Sequence, residues 1–522
     1  MAYTDLWKTL SASQLAIFIQ IFSLLAIFFE GYDQGVMGGA SASPSYIHTV
    51  SISSGSSTPT NFPKLGLIIS IYYLGSILGA FLGGWLADRI GRINGIFLAA
   101  IFALAGGALQ AGTQNAGWIM GARVVTGMGT GGLMAGVPVY IAEVSPASHR
   151  GGFLGYVFIA NYLGISIAYW LDFGLAYGEH GNSAFRWRFL LAFQCLPALL
   201  LLAGIKLLPD SPRYYASVGR YEEAKEVLEH IRGGNGLEVE KEFMEICTVA
   251  KGTKSSSPIQ FARILIGKAT EAPHLGRRAW LCVWLQIMAS WTGITAVTAY
   301  SPVLLKQAGY SSVKQNGLAG GLNTIGIIGT IVSAQIIDRF GRRKCLIWGS
   351  FGLFIANALA ASLFEVTRHD SSEAISIAPA AVLMLFLFNL CYAVTWGTIA
   401  FLIPTEIFPS EMRAQGNAFG IVGWAIGIGW TTLVDPIMFP NLKNRTYFLF
   451  AGLNLLWMPI VFMLYPETTD RSLESINAMF STSRPFYKKM EAAYPAYRTA
   501  QEDYVVASLP LSTLFLSFFL FY

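Results

Sequence analysis

The sequence predicts an all-α polytopic membrane protein: twelve transmembrane helices in two six-helix halves, the major facilitator arrangement, with a helical loop between them. Three observations predict it. Hydrophobic residues fill 54% of the 522 positions and charged residues only 12%, with mean hydropathy +0.50; a soluble domain carries about 25% charge. Apolar runs of about 20 residues, enough for a ~30 Å hydrocarbon core, occur twelve times. The third observation is an internal repeat. Asp88-Arg89-Ile90-Gly91-Arg92 recurs as Asp338-Arg339-Phe340-Gly341-Arg342, 250 positions later. The segment from Glu143 to Arg150, with Pro146 at its third step, recurs from Glu406 to Arg413 with Pro409, 263 positions later. Pro209-Asp210-Ser211 is answered by Pro466-Glu467-Thr468 at 257. Three matches in one order make two homologous halves, and parallel halves with a midplane substrate site characterise one large class of secondary transporters.

The elements follow in order. After a short N-terminus (1–14), spans 1 to 6 lie near 15–40, 65–87, 94–113, 118–142, 152–176 and 187–208. A Ser/Thr/Pro-rich loop (41–63) separates the first two. The linker 209–278 divides the halves. In it Tyr221, Ala224, Val227, Leu228 and Ile231 recur at helical spacing until Gly233-Gly234, so a short amphipathic helix is expected. Spans 7 to 12 lie near 280–305, 316–337, 345–365, 378–403, 414–438 and 445–465. In the tail (466–522) Leu473 and Ile476 hint at another helix. The short loops on the two sides hold eight Lys and Arg each; eleven in the linker and six in the tails put both termini in the cytoplasm. The first apolar run is too long for a signal peptide and is followed by further spans. The net charge of +5 carries no nucleic-acid-binding block, and the five scattered cysteines match no zinc spacing.

Chemistry concentrates in Glu30-Gly31-Tyr32-Asp33-Gln34-Gly35, inside span 1. A charge at that depth costs about 2.5–3.5 kcal/mol on insertion scales, so an intramembrane acid is a functional candidate by default. Glu30 lies three residues before Asp33, hence on the same side of the helix; it either shares a coupled titration or only lines a polar cavity. Asp88, Arg89, Arg92, Glu143 and Arg150 could form a charge network at the ends of spans 2 to 5. Asp338, Arg339, Arg342, Glu406 and Arg413 could mirror it. Fully exposed pairs contribute little, but shared between helix ends they could bias a conformational equilibrium by a few kcal/mol. The alternative is that they fix only topology and folding.

The Gly-Tyr-Asp stretch, the two Asp-Arg-x-Gly-Arg loops, Trp187-Arg188, Pro209-Asp210-Ser211-Pro212-Arg213 and Pro466-Glu467-Thr468 together resemble the sugar porter family of the major facilitator superfamily, over roughly residues 15–476. The extended stretch from Phe29 to Gly39 looks most like fungal monosaccharide–proton symporters, including those taking up arabinose and other pentoses. The resemblance implies that Asp33 takes and releases the proton, with Arg123 in span 4 as its partner. A cation beside an acid favours its charged form and desolvation disfavours it, so conformation can switch proton affinity. A fixed structural pair is the alternative, since some facilitators of the family also keep an acid here.

A sugar presents hydroxyls at its edges and C–H groups on its faces, so neutral polar groups beside aromatic rings should contact it. Span 7 supplies Gln286, Ser290, Trp291, Thr292, Thr295, Thr298 and Tyr300; elsewhere Asn161, Tyr162, Asn323, Asn389, Trp396 and Trp424 are candidates. Intramembrane Asn and Trp also serve as packing and helix glue. The chain departs from the family here. The paired Gln falls on Ala289 and Ser290, the following Asn on Thr295, the span 8 Asn on Gly326, the span 5 Gln on Phe158, and the second span 10 Trp on Phe401. The pocket is remodelled, and glucose preference does not carry over.

Gly127-Met128-Gly129-Thr130-Gly131-Gly132 satisfies G-x-G-x-x-G, but inside an apolar span it signals close helix packing. The apolar stretch 508–522 is too short for an ordinary span. The expectation is a plasma-membrane symporter of a monosaccharide, pentose or hexose, working as a monomer in the lipid bilayer, with the proton as coupling ion and no other cofactor. The alternatives are a facilitator without proton coupling, a porter of a polyol, disaccharide or organic acid, and a non-transporting sugar sensor. No nucleophile–base or metal constellation marks an enzyme.

Overall fold

The computed structural model describes residues 7–53, 59–145, 150–177, 182–252, 258–268, 274–302, 305, 310–369, 374–409, 412–469, 471 and 473–480. The apolar stretch 508–522 lies outside them, as do the side chains of Arg150 and Arg413.

Twelve helices are long and apolar enough to cross a membrane. Spans 1 to 6 run Ala12–Ala42, Phe62–Ile90, Arg92–Ala111, Ala116–Val144, Phe158–Tyr177 and Ala184–Ile205; spans 7 to 12 run Leu275–Ala299, Val313–Phe340, Arg342–Val366, Ile377–Glu406, Gln415–Leu442 and Arg445–Leu464. Local chemistry explains several starts. Ser11 and Gln14 form a reciprocal capping box at the head of span 1. Asn61 and Asn115 accept the amides of Lys64 and Trp118, at 3.1 and 2.9 Å, at the heads of spans 2 and 4. Three spans are broken in ways hydropathy does not reveal. Span 6 is interrupted at Gln194. Span 7 widens at Ser290–Ile294, where Gly293 takes φ +106, and span 10 widens at Ala393–Gly397.

In the first half span 4 lies between spans 2 and 3, and span 1 lies on span 5; in the second, span 9 packs on spans 10 and 12, and span 7 on span 11. The halves meet where span 2 lies on span 11 and span 5 on span 8. Glycine permits the closest approaches. A Cβ on Gly31 would stand 2.0 Å from the Asn161 carbonyl oxygen, so spans 1 and 5 touch backbone to backbone. The glycine run of span 4 has the same use: Cβ atoms on Gly127 and Gly131 would meet carbonyl oxygens of span 2 at 2.1 and 2.0 Å.

The expected linker helix is present as Tyr221–Arg232, flanked by Pro212–Ser217, Leu237–Gly252 and Pro258–Leu265, and the tail forms Leu473–Phe480. Arg232 binds Glu242 and donates to the Val144 carbonyl at 2.9 Å, docking the linker beneath span 4. Phe261 sits between Phe81 and Phe419, with ring centroids 5.7 and 5.4 Å away, so the last linker helix touches both halves.

Gly31→Val is expected to prevent span 1 from seating on span 5, costing about 1–3 kcal/mol or more by overpacking and lowering the melting temperature in detergent. Gly84→Ala, where a Cβ meets nothing within 4 Å, should melt like the wild type.

Candidate functional site: a buried ion pair beside a central cavity

Asp33 and Arg123 meet across spans 1 and 4. Arg123 Nη1 donates to Asp33 Oδ2 at 2.9 Å, and both side chains are buried. Gln110 of span 3 donates to Asp33 Oδ1 at 3.3 Å and to Thr126 at 2.7 Å. Arg123 also donates to the Ile69 carbonyl at 3.2 Å and lies over the Tyr72 ring, 4.5 Å from its centroid. The acid is thus enclosed by groups from spans 1 to 4.

Glu30 is placed differently. Three residues leave it about 60° around the helix from Asp33, and that turn is decisive: Glu30 lines a central cavity and Asp33 does not. Gln34 and Asn161 both donate to the Glu30 carboxylate. The expectation of one shared face is therefore corrected to two neighbouring environments, one enclosed and one open.

The cavity, with about 1460 Å³ of space including its mouth, lies between the halves. It runs from Gln34, Ile165 and Thr298 down to Ile337, Asp338 and Arg342, at the end that carries the repeated loops (the motif end). The opposite end is sealed. Tyr169 donates to the Thr298 carbonyl at 2.6 Å, Trp170 to Thr324 at 2.9 Å, and a Cβ on Gly38 would stand 3.0 Å from the Ala299 oxygen.

Of the expected sugar contacts, Asn161, Tyr162, Thr298 and Trp424 line the cavity, and Trp424 packs edge-on against Tyr73 at 5.4 Å. The others are placed behind the wall, where they join helices. Gln286 donates to the Ala400 carbonyl at 2.9 Å, Thr295 bonds Thr431 at 2.8 Å, and Tyr300 donates to the Thr432 carbonyl at 2.8 Å. Asn389 donates to Leu322 O at 2.6 Å, Asn323 to Ala319 O at 2.9 Å, and Trp396 to Ser350 at 3.0 Å. Thr292 donates to Ala289 O at 2.7 Å, and Trp291 packs against the second-half core.

The departures from the family pattern have a physical account. Phe158 and Phe401, each replacing a family residue, bring their rings into contact at the cavity wall, with centroids 5.1 Å apart. At Gly326 a Cβ would fall 2.2 Å from the Tyr162 ring, so the missing Asn makes room for a tyrosine that lines the cavity. Sequence reasoning missed Gln34 and Asn417. Asn417 lines the cavity with its amide nitrogen unpartnered among the described residues, a donor free for a ligand. The signal was an Asn two turns before Trp424 in the same apolar span. Among the described residues no three His, Cys, Asp or Glu converge as a metal site.

At the motif end each half builds an arginine chelate. Gly91 and Gly341, at φ +100 and +92, turn the chain from spans 2 and 8 into spans 3 and 9, a backbone conformation that disfavours any side chain. Arg92 grips Glu143 bidentately, both contacts at 3.0 Å, and lies 3.0 Å from Asp88. Arg342 sets two nitrogens on the single oxygen Oε1 of Glu406 at 3.0 and 3.1 Å, leaving Oε2 to the Thr468 hydroxyl, and lies 3.0 Å from Asp338. Asp210 and Glu467, noticed in the sequence only as repeat markers, cap the helices. Asp210 accepts the amides of Arg92 and Ile93 at 2.9 and 3.3 Å; Glu467 accepts those of Arg342 and Arg343 at 2.8 and 3.2 Å. Arg89 and Arg339 stand aside, over Trp85 and Phe340 at 4.5 and 5.8 Å.

The family profile "Sugar (and other) transporter" matches residues 18–480. The glucose transporter GlcP of Staphylococcus epidermidis is 30% identical over 90% of this chain and 97% of its own. The H(+)/hexose cotransporter 2 of Parachlorella kessleri is 26% identical over 86% of this chain and 84% of its own. The E. coli proton:xylose symporter XylE, solved with 6-bromo-6-deoxy-D-glucose, superposes with TM-score 0.74 over 90% of this chain and 99% of its own. At 23% identity that likeness establishes the fold.

Burial pushes the Asp210 carboxyl up to about 6 from 3.8, against the opposing pull of the Ser211, Arg92 and Ile93 amides and the Arg92 charge. The folded state then holds this proton more tightly than the unfolded chain does. Its contribution is full below about pH 4 and is lost as pH rises to about 6, on the order of 2–3 kcal/mol at most. Melting curves across that window should show the wild type losing stability with rising pH relative to Asp210→Asn; parallel curves would contradict this.

Proposed function

The chain belongs to the sugar (and other) transporter family of the major facilitator superfamily, and is a transporter rather than an enzyme. On that footing we propose that it imports a monosaccharide together with a proton by alternating access. In this reading it works as a monomer in the plasma membrane, with both termini and the motif end in the cytoplasm and no cofactor beyond the coupling proton.

One observation carries the reading: an acid salt-bridged to Arg123 at 2.9 Å, enclosed within one half and directly beside a cavity that it does not enter. Protonating Asp33 removes the counter-charge of a buried guanidinium. Leaving one member of such a pair alone costs about 3–5 kcal/mol, enough to drive a switch between two states of similar energy. The sugar occupies the cavity. Glu30, Gln34, Asn161 and Asn417 supply hydrogen-bonding groups, and Phe158, Tyr162, Phe401 and Trp424 supply apolar faces. A proton entering down ~100 mV contributes about 2.3 kcal/mol, and each pH unit about 1.4. Together these sustain a sugar gradient well above tenfold. The Arg92 and Arg342 chelates act within each half at the cytoplasmic end, where their charges bias opening and closing.

The test is expression in a transport-deficient host with labelled pentoses and hexoses. The wild type should accumulate its sugar, alkalinise the medium and lose accumulation to a protonophore. Asp33→Asn should reduce accumulation to equilibration, a loss of about tenfold or more, while sugar exchange persists. Equilibration by the wild type without a proton signal would support a facilitator instead. Glu30→Gln should keep the proton signal and raise KM, because it alters the cavity wall and leaves the enclosed pair intact.

A further inference from the structure

The repeat pairs one more set of acids. Asp172 in span 5 and Asp435 in span 11 are 263 positions apart, the same offset that relates Glu143 to Glu406. Both are fully buried. Their surroundings differ. Asp172 is gripped bidentately by Arg186 of span 6 at 2.8 and 2.9 Å. Phe189-Leu190-Leu191-Ala192 of span 6 matches Phe448-Leu449-Phe450-Ala451 of span 12 at an offset of 259, which sets Arg186 against Arg445. Arg445 is exposed rather than buried against an acid. Neither carboxyl oxygen of Asp435 has a hydrogen-bond partner among the described residues.

An ionised carboxylate sealed away unpaired costs several kcal/mol even after relaxation, whereas a neutral carboxyl costs about 1–3. In the sealed state, therefore, Asp435 holds a proton. Its position is at the seam that alternating access must part. Two residues away the Leu433 carbonyl lies against Gly66 of span 2, where a Cβ would stand 2.5 Å from the oxygen. That contact joins span 11 of the second half to span 2 of the first.

Among the described residues, the ionisable groups on the elements packed around span 11 at this end bring Asp435 no cation. Span 7 brings Tyr300, whose hydroxyl donates to the Thr432 carbonyl at 2.8 Å. Span 2 brings Tyr73, packed on Trp424, and Lys64, which donates to the Ser51 carbonyl at 3.0 Å. Arg123 of span 4 is bonded to Asp33, and span 12 brings a buried Tyr447 and an exposed Arg445. Span 10 brings Glu406, at the far motif end and bonded to Arg342.

We propose that Asp435 is a second proton-binding site, separate from the Asp33–Arg123 pair, which must be protonated before the sealed end can close. It rests on the alternating-access reading but needs neither sugar nor coupled transport. When the seam parts and water reaches Asp435, the carboxyl ionises. The charge then holds that end open until a proton returns, so the site senses pH on the side that the sealed end faces.

The test places a cysteine at Ala299, in the seal beside Gly38, and measures labelling by a membrane-impermeant maleimide added on that side. Because thiol reactivity itself rises with pH, the readout is the labelling rate divided by that of the same protein carrying Asp435→Asn. The ratio should rise as pH is raised, by about threefold to tenfold per unit, tenfold being the limit for one titrating group. Asp435→Leu is the reference if the Asn variant does not reach the membrane, and Asp435→Glu should restore the dependence. Asp33→Asn should leave the ratio rising, which separates this site from the symport pair. A ratio that stays flat or falls with pH overturns the proposal, whether or not the protein proves to be a symporter.

Discussion

A carboxylate inside a bilayer-spanning bundle must be neutralised or surrounded, and the placing of Asp33 imposes that requirement on four helices at once. Arg123 answers its charge, Gln110 its second oxygen, and Ile69 O with the Tyr72 ring completes the guanidinium's contacts. Each group comes from a different span, so the pair cannot change protonation without spans 1 to 4 responding together. Close backbone approach makes the arrangement possible. Glycines on spans 1 and 4 let neighbouring helices stand backbone to backbone around the acid.

The two ends of the molecule are held by different physics. At the motif end, charge-assisted bonds fix each half internally: an arginine chelates two acids while a third acid caps the next helix. Carboxylates at helix N-termini also meet the positive end of the helix dipole. These contacts tie helix ends together within each half. At the sealed end, aromatic side chains and backbone carbonyls pack between halves, as in Tyr169 on Thr298 and Gly66 on Leu433. Such contacts are individually weak and part without breaking an ion pair. The enclosed acid, the open cavity and the packed seam thus occupy separate regions that one rigid-body movement can link.

Hydropathy and repetition made the fold legible: all twelve spans, the linker helix and the tail helix fall where apolar runs and spacing place them. The breaks in spans 6, 7 and 10 were hidden because hydropathy summed over a whole span registers neither an interruption at Gln194 nor a local widening at Ser290–Ile294 and Ala393–Gly397. In the site, the Asp33–Arg123 contact was legible through the family likeness, and the chelates through the repeated loops. The cavity wall was less so. Gln286, Thr295 and Asn389 have the right chemistry, but in this conformation their hydrogen bonds go to neighbouring helices. A sequence identifies polar side chains in a span but does not say which face a kinked helix presents. Glu30 and Asp33 show the same limit at a separation of one turn, where a small rotation separates an open site from an enclosed one.

The central claim is that one proton, held by Asp33, crosses with each sugar. The most direct measurement is the current evoked by adding the transported sugar to membranes containing the protein under voltage control. The account predicts an inward, charge-carrying response whose reversal potential moves by about 60 mV for each unit of pH gradient, since 1.4 kcal/mol per unit balances 2.3 kcal/mol per 100 mV for a single charge. Sugar flux with no current at any voltage or pH gradient would contradict it.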